Sequence, residues 1–233
     1  MRNAIIILFI YSLTLFTGKY LNAQEHENIE LVGSIYSQWD SAYDIDVVGD
    51  IAYIAAAYSG LRIVNTSNPE NPVEIGYNDT PSIAVGVAVL GDYAYVAAYY
   101  DGLCIISVAN PQRPEIVGYC DTPGIAWAVT VSGEFAYVVN WSGGLSIISV
   151  ANPQHPEEVT YYGDWLSGSR DVAIIGDYAI VANEYSGLRV ISIEDPENPE
   201  QVDDLVGSFL SIAVSDHCAF VLNDRSGLSI FAL

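Results

Sequence analysis

The sequence predicts an all-β fold, a five-bladed β-propeller built from four-stranded antiparallel blades. Three observations support this prediction: a repeat of about 42 residues, four short apolar runs in each repeat, and no helical periodicity after the first 23 residues. A repeat of this length with four strands is typical of a propeller blade. The 233 residues are enough for one such domain with a sizeable core.

Three markers recur along the chain in a common register. A Gly-Asp or Gly-Glu pair precedes a Gly-Leu pair in four copies, with Ser215-Asp216 in the fifth, and an Asn-Pro or Asp-Pro turn follows the first four. The Gly-Leu pairs are separated by 42, 42, 43 and 40 residues. Their glycines are Gly60, Gly102, Gly144, Gly187 and Gly227. Such agreement indicates an internal repeat.

The second copy illustrates the four strands of a unit, which we predict at 85–90, 93–99, 103–108 and 115–120. Gly-Asp between the first two runs indicates a tight hairpin. The prolines between the last two runs cannot continue a hydrogen-bonded ladder and indicate a turn. We therefore expect a meander in each copy. The predicted blades span 43–78, 85–120, 127–162, 170–206, and 211–233 together with 29–36.

The fifth copy lacks a fourth strand of its own. Residues 29–36 have the pattern of that strand, since Glu-Leu-Val-Gly at 30–33 resembles Glu-Ile-Val-Gly at 115–118. We expect this segment to pair with 228–233 and to close the ring, because closure removes an exposed sheet edge. The alternative is an open array of repeats that assembles with other chains.

The repeat resembles a known family, the LVIVD repeat. The resemblance rests on Tyr-Val-Ala at 95–97, Gly-Leu-Cys-Ile-Ile-Ser-Val at 102–108 and Asn-Pro-Gln-Arg-Pro at 110–114, and it covers about residues 29–233. It implies a β-propeller in exported or cell-surface proteins of bacteria and archaea, and it implies no enzymatic activity. The fifth copy departs from the pattern, with Ser-Asp for Gly-Asp and no proline turn.

Residues 1–23 have the features of a signal peptide. Arg2 is followed by an almost continuous apolar run over 4–16, and Leu-Asn-Ala at 21–23 resembles a cleavage site before Gln24. The run is too short for an ordinary transmembrane helix. We expect a mature chain of residues 24–233, a single domain without a membrane span, that is secreted, periplasmic or associated with a bacterial cell surface.

The chain is strongly acidic. It has 7 Lys and Arg against 29 Asp and Glu, a formal charge of −22, and cleavage after residue 23 would lower the charge to −24. Such a field repels nucleic acid and anionic lipid. It attracts cations, although acidity alone would keep an exported protein soluble. We expect an extracellular protein or carbohydrate as partner.

The loops between blades and those between strands two and three of each blade share one face of a propeller, here called the loop face. These loops vary between copies, whereas the Gly-Asp and Asn-Pro turns of the opposite turn face are repetitive, and variable loops on a constant scaffold usually carry binding. Aromatic rings mixed with Asn and Asp suit a carbohydrate or peptide, although the rings can equally pack into the core. The predicted ligand-binding residues are Trp39, Tyr58, Tyr100, Asp101, Trp127, Trp141, Trp165, Tyr185 and Asp224.

Three carboxylates provide weaker candidates for chemistry. Asp44 and Asp171 begin inner strands where other copies have small or apolar residues, and Glu184 lies on the same face. Paired carboxylates hydrolyse glycosides, and the same oxygens suit calcium, the one cofactor we consider. The alternative is that both aspartates are solvated at the channel mouth. We favour binding over catalysis, with a purely structural repeat scaffold as the alternative to binding.

The cysteines allow one disulfide. Cys104 and Cys120 flank the turn at 110–114 almost symmetrically, so they would lie on adjacent strands, and an exported protein permits a bridge. Free buried thiols are the alternative.

Overall fold

The computed structural model describes residues 31–35, 39–163, 168–215, 218–223 and 227–232. Nineteen strands are present in these residues, in five antiparallel sheets that follow one another along the chain. The predicted signal peptide lies outside the described residues. The all-β, five-bladed propeller predicted from the sequence is confirmed.

The first three blades are four-stranded meanders in which each strand pairs with the next. Blade 1 comprises β1 (Asp44–Val48), β2 (Ile51–Ala55), β3 (Leu61–Asn65) and β4 (Val73–Asn78). Blade 2 comprises β5 (Gly86–Leu90), β6 (Tyr93–Ala97), β7 (Leu103–Ser107) and β8 (Glu115–Cys120). Blade 3 comprises β9 (Ala126–Ser132), β10 (Phe135–Asn140), β11 (Gly144–Ser149) and β12 (Glu157–Tyr162).

Blade 4 repeats the same order and blade 5 has three strands in the described residues. Blade 4 comprises β13 (Ser169–Ile175), β14 (Tyr178–Asn183), β15 (Gly187–Ser192) and β16 (Glu200–Leu205). Blade 5 comprises β17 (Phe209–Ser215), β18 (Cys218–Asn223) and β19 (Gly227–Ala232). The first strands of successive blades contact one another, so the first strand of each blade is the inner one.

The Gly-Asp pairs form two-residue hairpins, as predicted. In blade 1 the ladder pairs Val48 with Ile51, so Gly49 and Asp50 are the two central residues. Gly49 has a φ of 61°, whereas Asp50 is not among the residues with positive φ. A positive φ at the first central residue alone is the type II′ turn, which matches the right-handed twist of the flanking strands.

The core consists of layers between consecutive blades. Alternate residues of each strand point to opposite faces of its sheet, so each blade offers one set to the blade before it and another to the blade after it. Tyr53, Leu61 and Ile63 of blade 1, for example, pack against Val96 and Ile106 of blade 2. Burying one such large side chain contributes about 1.5–3 kcal/mol, and equivalent layers join blades 2 to 3, 3 to 4 and 4 to 5.

Glycine in the fourth strand lets consecutive blades approach closely. A Cβ at Gly76 would meet the backbone carbonyl of Pro111, and one at Gly118 would meet that of Pro153. Gly33 has the same relation to the carbonyl of Pro69. Residues 31–35 therefore lie beside blade 1 where the fourth strand of a preceding blade would lie.

The predicted closure of the ring is not seen in the described residues. There, 31–35 are not assigned to a strand, and no core cluster joins blade 5 to blade 1. Instead Ile35 packs on the free face of blade 1. Phe220, Leu228 and Ile230 of blade 5 are 36%, 53% and 59% exposed. Pairing of 29–36 with 228–233 stays a prediction.

Candidate functional site

The loop face is organised by backbone contacts between neighbouring loops. An isolated bridge joins Ala57, in the loop after β2, to Ala84, which precedes β5. The equivalent bridge in the next pair of blades joins Tyr99 to Ala126. Ala57 and Tyr99 have φ of 47° and 48°, in the left-handed region that costs a residue with a side chain about 1–2 kcal/mol. The bridges hold this strained loop geometry in place.

Six rings from blades 1 to 4 form a continuous aromatic cluster on this face. Its centre is Trp127 beside Trp141, with ring centroids 5.2 Å apart and planes inclined at 42°. The neighbouring pairs have centroid distances of 4.5–6.4 Å and are tilted or edge-to-face, arrangements that stabilise aromatic pairs. The aromatic cluster comprises Tyr43, Tyr99, Tyr100, Trp127, Trp141 and Tyr185.

Arg170 lies against the centre of the aromatic cluster. Its guanidinium carbon is 4.2 Å from the ring centroid of Trp141 and 5.1 Å from that of Trp127. The Nε and an Nη of the same guanidinium donate to one carboxylate oxygen of Glu184, at 2.9 and 2.6 Å. The arginine is thus held by two cation–π contacts and an ion pair, and it fixes the indoles relative to blade 4.

Asn183 shapes the loop that carries Tyr185. Its buried side-chain oxygen accepts hydrogen bonds from the backbone N–H groups of Tyr185 and Ser186, both at 2.8 Å. Its amide nitrogen donates to the hydroxyl of Ser169. The equivalent Asn140 donates to Ser146 in blade 3. A single Asn at the end of the second strand therefore positions the loop that follows it.

The structure brings together only part of the predicted site. Trp127, Trp141, Tyr100 and Tyr185 belong to the aromatic cluster, whereas the Trp39 indole N–H donates to Glu74 and its ring packs on blade 1. Tyr58 and Asp101 lie on the loop face outside the ring contacts. The predicted Trp165 and Asp224 lie outside the described residues.

Tyr43 and Tyr99 of the aromatic cluster, and Arg170 which lies against it, are absent from the predicted ligand-binding residues. The sequence carries a signal for Tyr43 and Arg170, because they occupy, near the start of the inner strands of blades 1 and 4, the position of Trp127 in blade 3. That correspondence becomes informative only once the blades are aligned in space.

Asp44 and Asp171 link neighbouring blades. Asp44 accepts a hydrogen bond from the backbone N–H of Val87 in blade 2, at 2.8 Å. Asp171 accepts from the backbone N–H of Ile212 and the hydroxyl of Ser211 in blade 5, at 2.9 and 2.7 Å. Both side chains are partly buried and hydrogen-bonded, rather than freely solvated in the channel.

The pKa values of Asp44 and Asp171 are both raised. Burial raises the pKa of Asp44 to about 7, the Val87 N–H opposes this rise, and the charge of Asp171 adds to it. Burial likewise raises the pKa of Asp171, against the hydrogen bonds from Ile212 and Ser211. The channel thus disfavours two ionised carboxylates.

The three candidate carboxylates do not form one constellation of free groups. Glu184 is engaged by Arg170, and the two aspartates are engaged by backbone donors. The part of the chain that the structure describes contains no group of three or more His, Cys, Asp or Glu side chains arranged to hold a metal ion. No specific observation favours hydrolysis.

The proposed disulfide between Cys104 and Cys120 is not formed; both residues are free thiols. The strand register explains this, because Cys104 pairs with Tyr119 and Cys120 pairs with Leu103. A shift of one residue directs the two side chains to opposite faces of the sheet. Burial raises the pKa of the Cys104 thiol to about 12, which makes it unreactive.

A family model described as the LVIVD repeat matches residues 41–80, 82–122, 123–164 and 168–204. The chain belongs to the LVIVD repeat family. The four matches correspond to blades 1 to 4, so each LVIVD repeat is one blade. The LVIVD repeats and the propeller fold indicate a protein-interaction module or a structural repeat module. The family is associated with exported proteins.

Solved structures with the same fold share little sequence with this LVIVD protein. A functionally unknown protein from Desulfotomaculum acetoxidans DSM 771 aligns with a TM-score of 0.72 and 16% identity, over 85% of this chain and 67% of that chain. The β-propeller domain of Myceliophteria thermophila Cps50 (Swd1) aligns with a TM-score of 0.69 and 14% identity, over 85% and 71%. The designed protein Ika8 aligns with a TM-score of 0.66 and 8% identity, over 82% and 58%. These likenesses show the fold alone.

A comparison with curated proteins found no match. Within the described ranges, no helix has the length and apolar character needed to cross a membrane.

Proposed function

We propose that the mature chain, beginning at Gln24, is an exported binding module whose loop face takes an extracellular carbohydrate, peptide or protein. The observation that carries this proposal is the continuous aromatic cluster. It is built from positions that differ between blades, whereas the surrounding strands repeat. Variable aromatic groups on a rigid repeated scaffold are well suited to recognition.

The exposure of the outer rings supports binding over internal packing. Tyr58, Tyr100 and Tyr185 are 76%, 71% and 57% exposed, although tyrosine rings are usually more buried than this. Arg170 and Asn183 fix the loop of Tyr185, and the bridges at Ala57 and Tyr99 fix the loops of Tyr58 and Tyr100, so the surface is preorganised. A preorganised surface loses less conformational entropy when a ligand binds.

The test is a glycan, peptide and protein array probed with the mature chain, with and without Ca²⁺. We expect capture of at least one ligand class, and a decrease of about tenfold or more for Trp141→Ala and Tyr185→Ala, because a few aromatic side chains contribute most of the energy at binding surfaces. Dependence of that capture on Ca²⁺ would identify calcium as a component of the complex.

Tyr178→Ala is the matched control, since Tyr178 is a half-exposed tyrosine that begins β14, directly after a turn of the turn face. It should leave capture unchanged. Thermal unfolding of all three variants verifies that they fold. Equal capture by folded Trp141→Ala, Tyr185→Ala and wild-type protein would contradict a binding site at the aromatic cluster.

A structural scaffold is the second candidate function, and it rests on the exposed face of blade 5. Phe220, Leu228 and Ile230 are apolar, and their counterparts in blades 1 to 3 are buried against the next blade. Concentration-dependent sedimentation of the wild-type chain, abolished by Leu228→Ser with Ile230→Ser, would support assembly through this face.

A further inference from the structure

The carboxylates of the loop face stand beside its most exposed tyrosines. The backbone of Gly102 is packed against residues 120–122, which brings Asp121 next to the loop of Tyr100 and Asp101. The backbone of Gly60 is packed in the same way against Asn78–Thr80 and brings Asp79 next to the loop of Tyr58. Blades 1 and 2 thus present the same pair, an exposed tyrosine and an aspartate.

Two cations near this face, Arg170 and Arg62, are already engaged by carboxylates. Arg170 is paired with Glu184 at 2.6 Å. Arg62 is paired with Glu74 at 3.3 Å and reaches Asp79 at 3.6 Å. Asp101 and Asp121 have no salt-bridge partner among the described residues. The loop face therefore retains negative charge of its own, within a chain of net charge −22.

The aromatic cluster also demonstrates that its ring faces accept a cation. Arg170 lies over both indoles at distances typical of cation–π contacts. Since the ring quadrupole attracts any guanidinium or ammonium, the exposed tyrosines offer the same interaction to an external group. Beside Tyr100, Asp101 and Asp121 offer a bound cation charge-assisted hydrogen bonds as well.

We infer that the ligand of the loop face is a basic peptide segment, whose arginine or lysine side chains lie on Tyr58, Tyr100 and Tyr185. Asp101 and Asp121 pair with the bound cations. An extended segment matches the recurrence of the tyrosine–carboxylate pair on successive blades. This inference rests on the proposed binding function and specifies the chemistry of its ligand.

The probe is a ten-residue peptide of alternating Arg and Gly, titrated into the mature chain by calorimetry and tryptophan fluorescence. A Ser-Gly peptide of equal length and cellohexaose are the neutral probes. We expect the basic peptide alone to bind. Its affinity should fall about tenfold between 50 and 500 mM salt, because exposed charge pairs are screened.

Variants localise the binding. Tyr100→Ala and Asp121→Asn should each lower the affinity for the Arg-Gly peptide about three- to tenfold. Tyr178→Ala and Asp92→Asn remove a half-exposed tyrosine and an exposed aspartate from the turn face, and they should leave the affinity within about twofold of wild type.

Three results would overturn the inference. Equal losses in the loop-face and turn-face variants would mean that the peptide follows the overall charge and not this site. Binding of cellohexaose without the basic peptide, sensitive to Tyr185→Ala, would retain the proposed binding function and replace its ligand by a neutral glycan. If neither the basic peptide nor cellohexaose binds and the array captures nothing, the proposed function fails together with the proposed ligand.

Discussion

Asp44 and Asp171 have a structural role that the residues at the corresponding positions of the other blades cannot perform. The inner strand has one sheet partner, so N–H groups on its other edge need acceptors. Asp44 supplies one for Val87, and Asp46 supplies another for Val89 at 2.7 Å. Gly86 and Ala128, which stand at the position of Asp44, have no side-chain acceptor. The aspartates therefore join specific blades.

The raised pKa of Asp44 predicts a pH-dependent stability. Its pKa is about 7 in the folded protein and near 3.8 in the unfolded chain, so between these values the folded state binds more protons. The free energy of unfolding should then fall as the pH rises from about 4 to 7, by about 1.4 kcal/mol for each pH unit of full difference. Asp171 contributes with the same sign.

Asp44→Asn tests this prediction through urea unfolding at pH 4.5 and 7.5. The variant should lose part of the pH dependence, because its amide does not titrate. It should also be less stable than wild type at pH 4.5 by about 1–3 kcal/mol, since the amide nitrogen cannot accept one of the two backbone N–H bonds. Asp92→Asn controls for loss of one charge. An undiminished pH slope in Asp44→Asn would contradict the assignment.

Asn183→Ala should destabilise the protein and weaken binding together. The change leaves the N–H groups of Tyr185 and Ser186 without their acceptor, which costs about 1–3 kcal/mol. The loop then loses its fixed geometry. Thermal unfolding and the ligand titration measure the two effects, and Asn183→Asp, which keeps the acceptor, should restore much of both. A variant with wild-type stability would show that the loop needs no such support.

At the scale of the element, the fourth strands of blades 1 and 2 depend on a glycine for their distance to the next blade. Gly118→Ala should lower stability by about 1–3 kcal/mol, because the new methyl group would meet the carbonyl of Pro153. Thr160→Ala is the matched control, because Thr160 occupies the register position of Gly118 in blade 3 and already carries a Cβ. Chemical denaturation measures both variants. A loss for Gly118→Ala no larger than that for Thr160→Ala would contradict the steric explanation.

The strands were predictable because each is bounded by residues with a local physical meaning. The four strands of blade 2 agree with the predicted ranges to within two residues, since Gly91 and Pro111 act within their own turns. The disulfide prediction was wrong for an equally local reason, which the spacing of the two cysteines in the sequence does not show. One residue of register separates the partners of Cys104 and Cys120, and a bulge in the pairing of β7 and β8 contributes to it.

The candidate site was only partly predictable, because its contacts cross between blades. Sequence variation identified the loop face and most of the exposed rings. Sequence variation could not predict the ion pair of Arg170 and Glu184. The distance and orientation of these two side chains depend on how β13 pairs with β14. Likewise the link from Asp171 to Ile212 joins residues 41 apart in sequence. Long-range hydrogen bonds of this kind leave no local pattern.

At the scale of the whole molecule, two features indicate how the ring would close. Gly33 lies against Pro69 as Gly76 lies against Pro111, so the segment at 31–35 already holds the place of a fourth strand. The edge strand β19 and the apolar face behind it remain exposed. Pairing the two would cover this edge and bury Leu228 and Ile230, which favours closure.

The repeat register specifies the predicted closure residue by residue. Arg62 pairs with Tyr77 and Cys104 with Tyr119, so Ser229 should pair with Ser34. Ser229→Cys with Ser34→Cys, combined with Cys120→Ser and Cys218→Ser, should form a disulfide within one chain upon oxidation, because paired Cβ atoms lie about 4.5–5.5 Å apart. Ser34→Cys with Ser192→Cys is the mismatched control. Non-reducing electrophoresis and mass spectrometry distinguish the outcomes: cross-linked monomers indicate a closed ring, whereas cross-linked dimers indicate that the same strand pairing joins two copies.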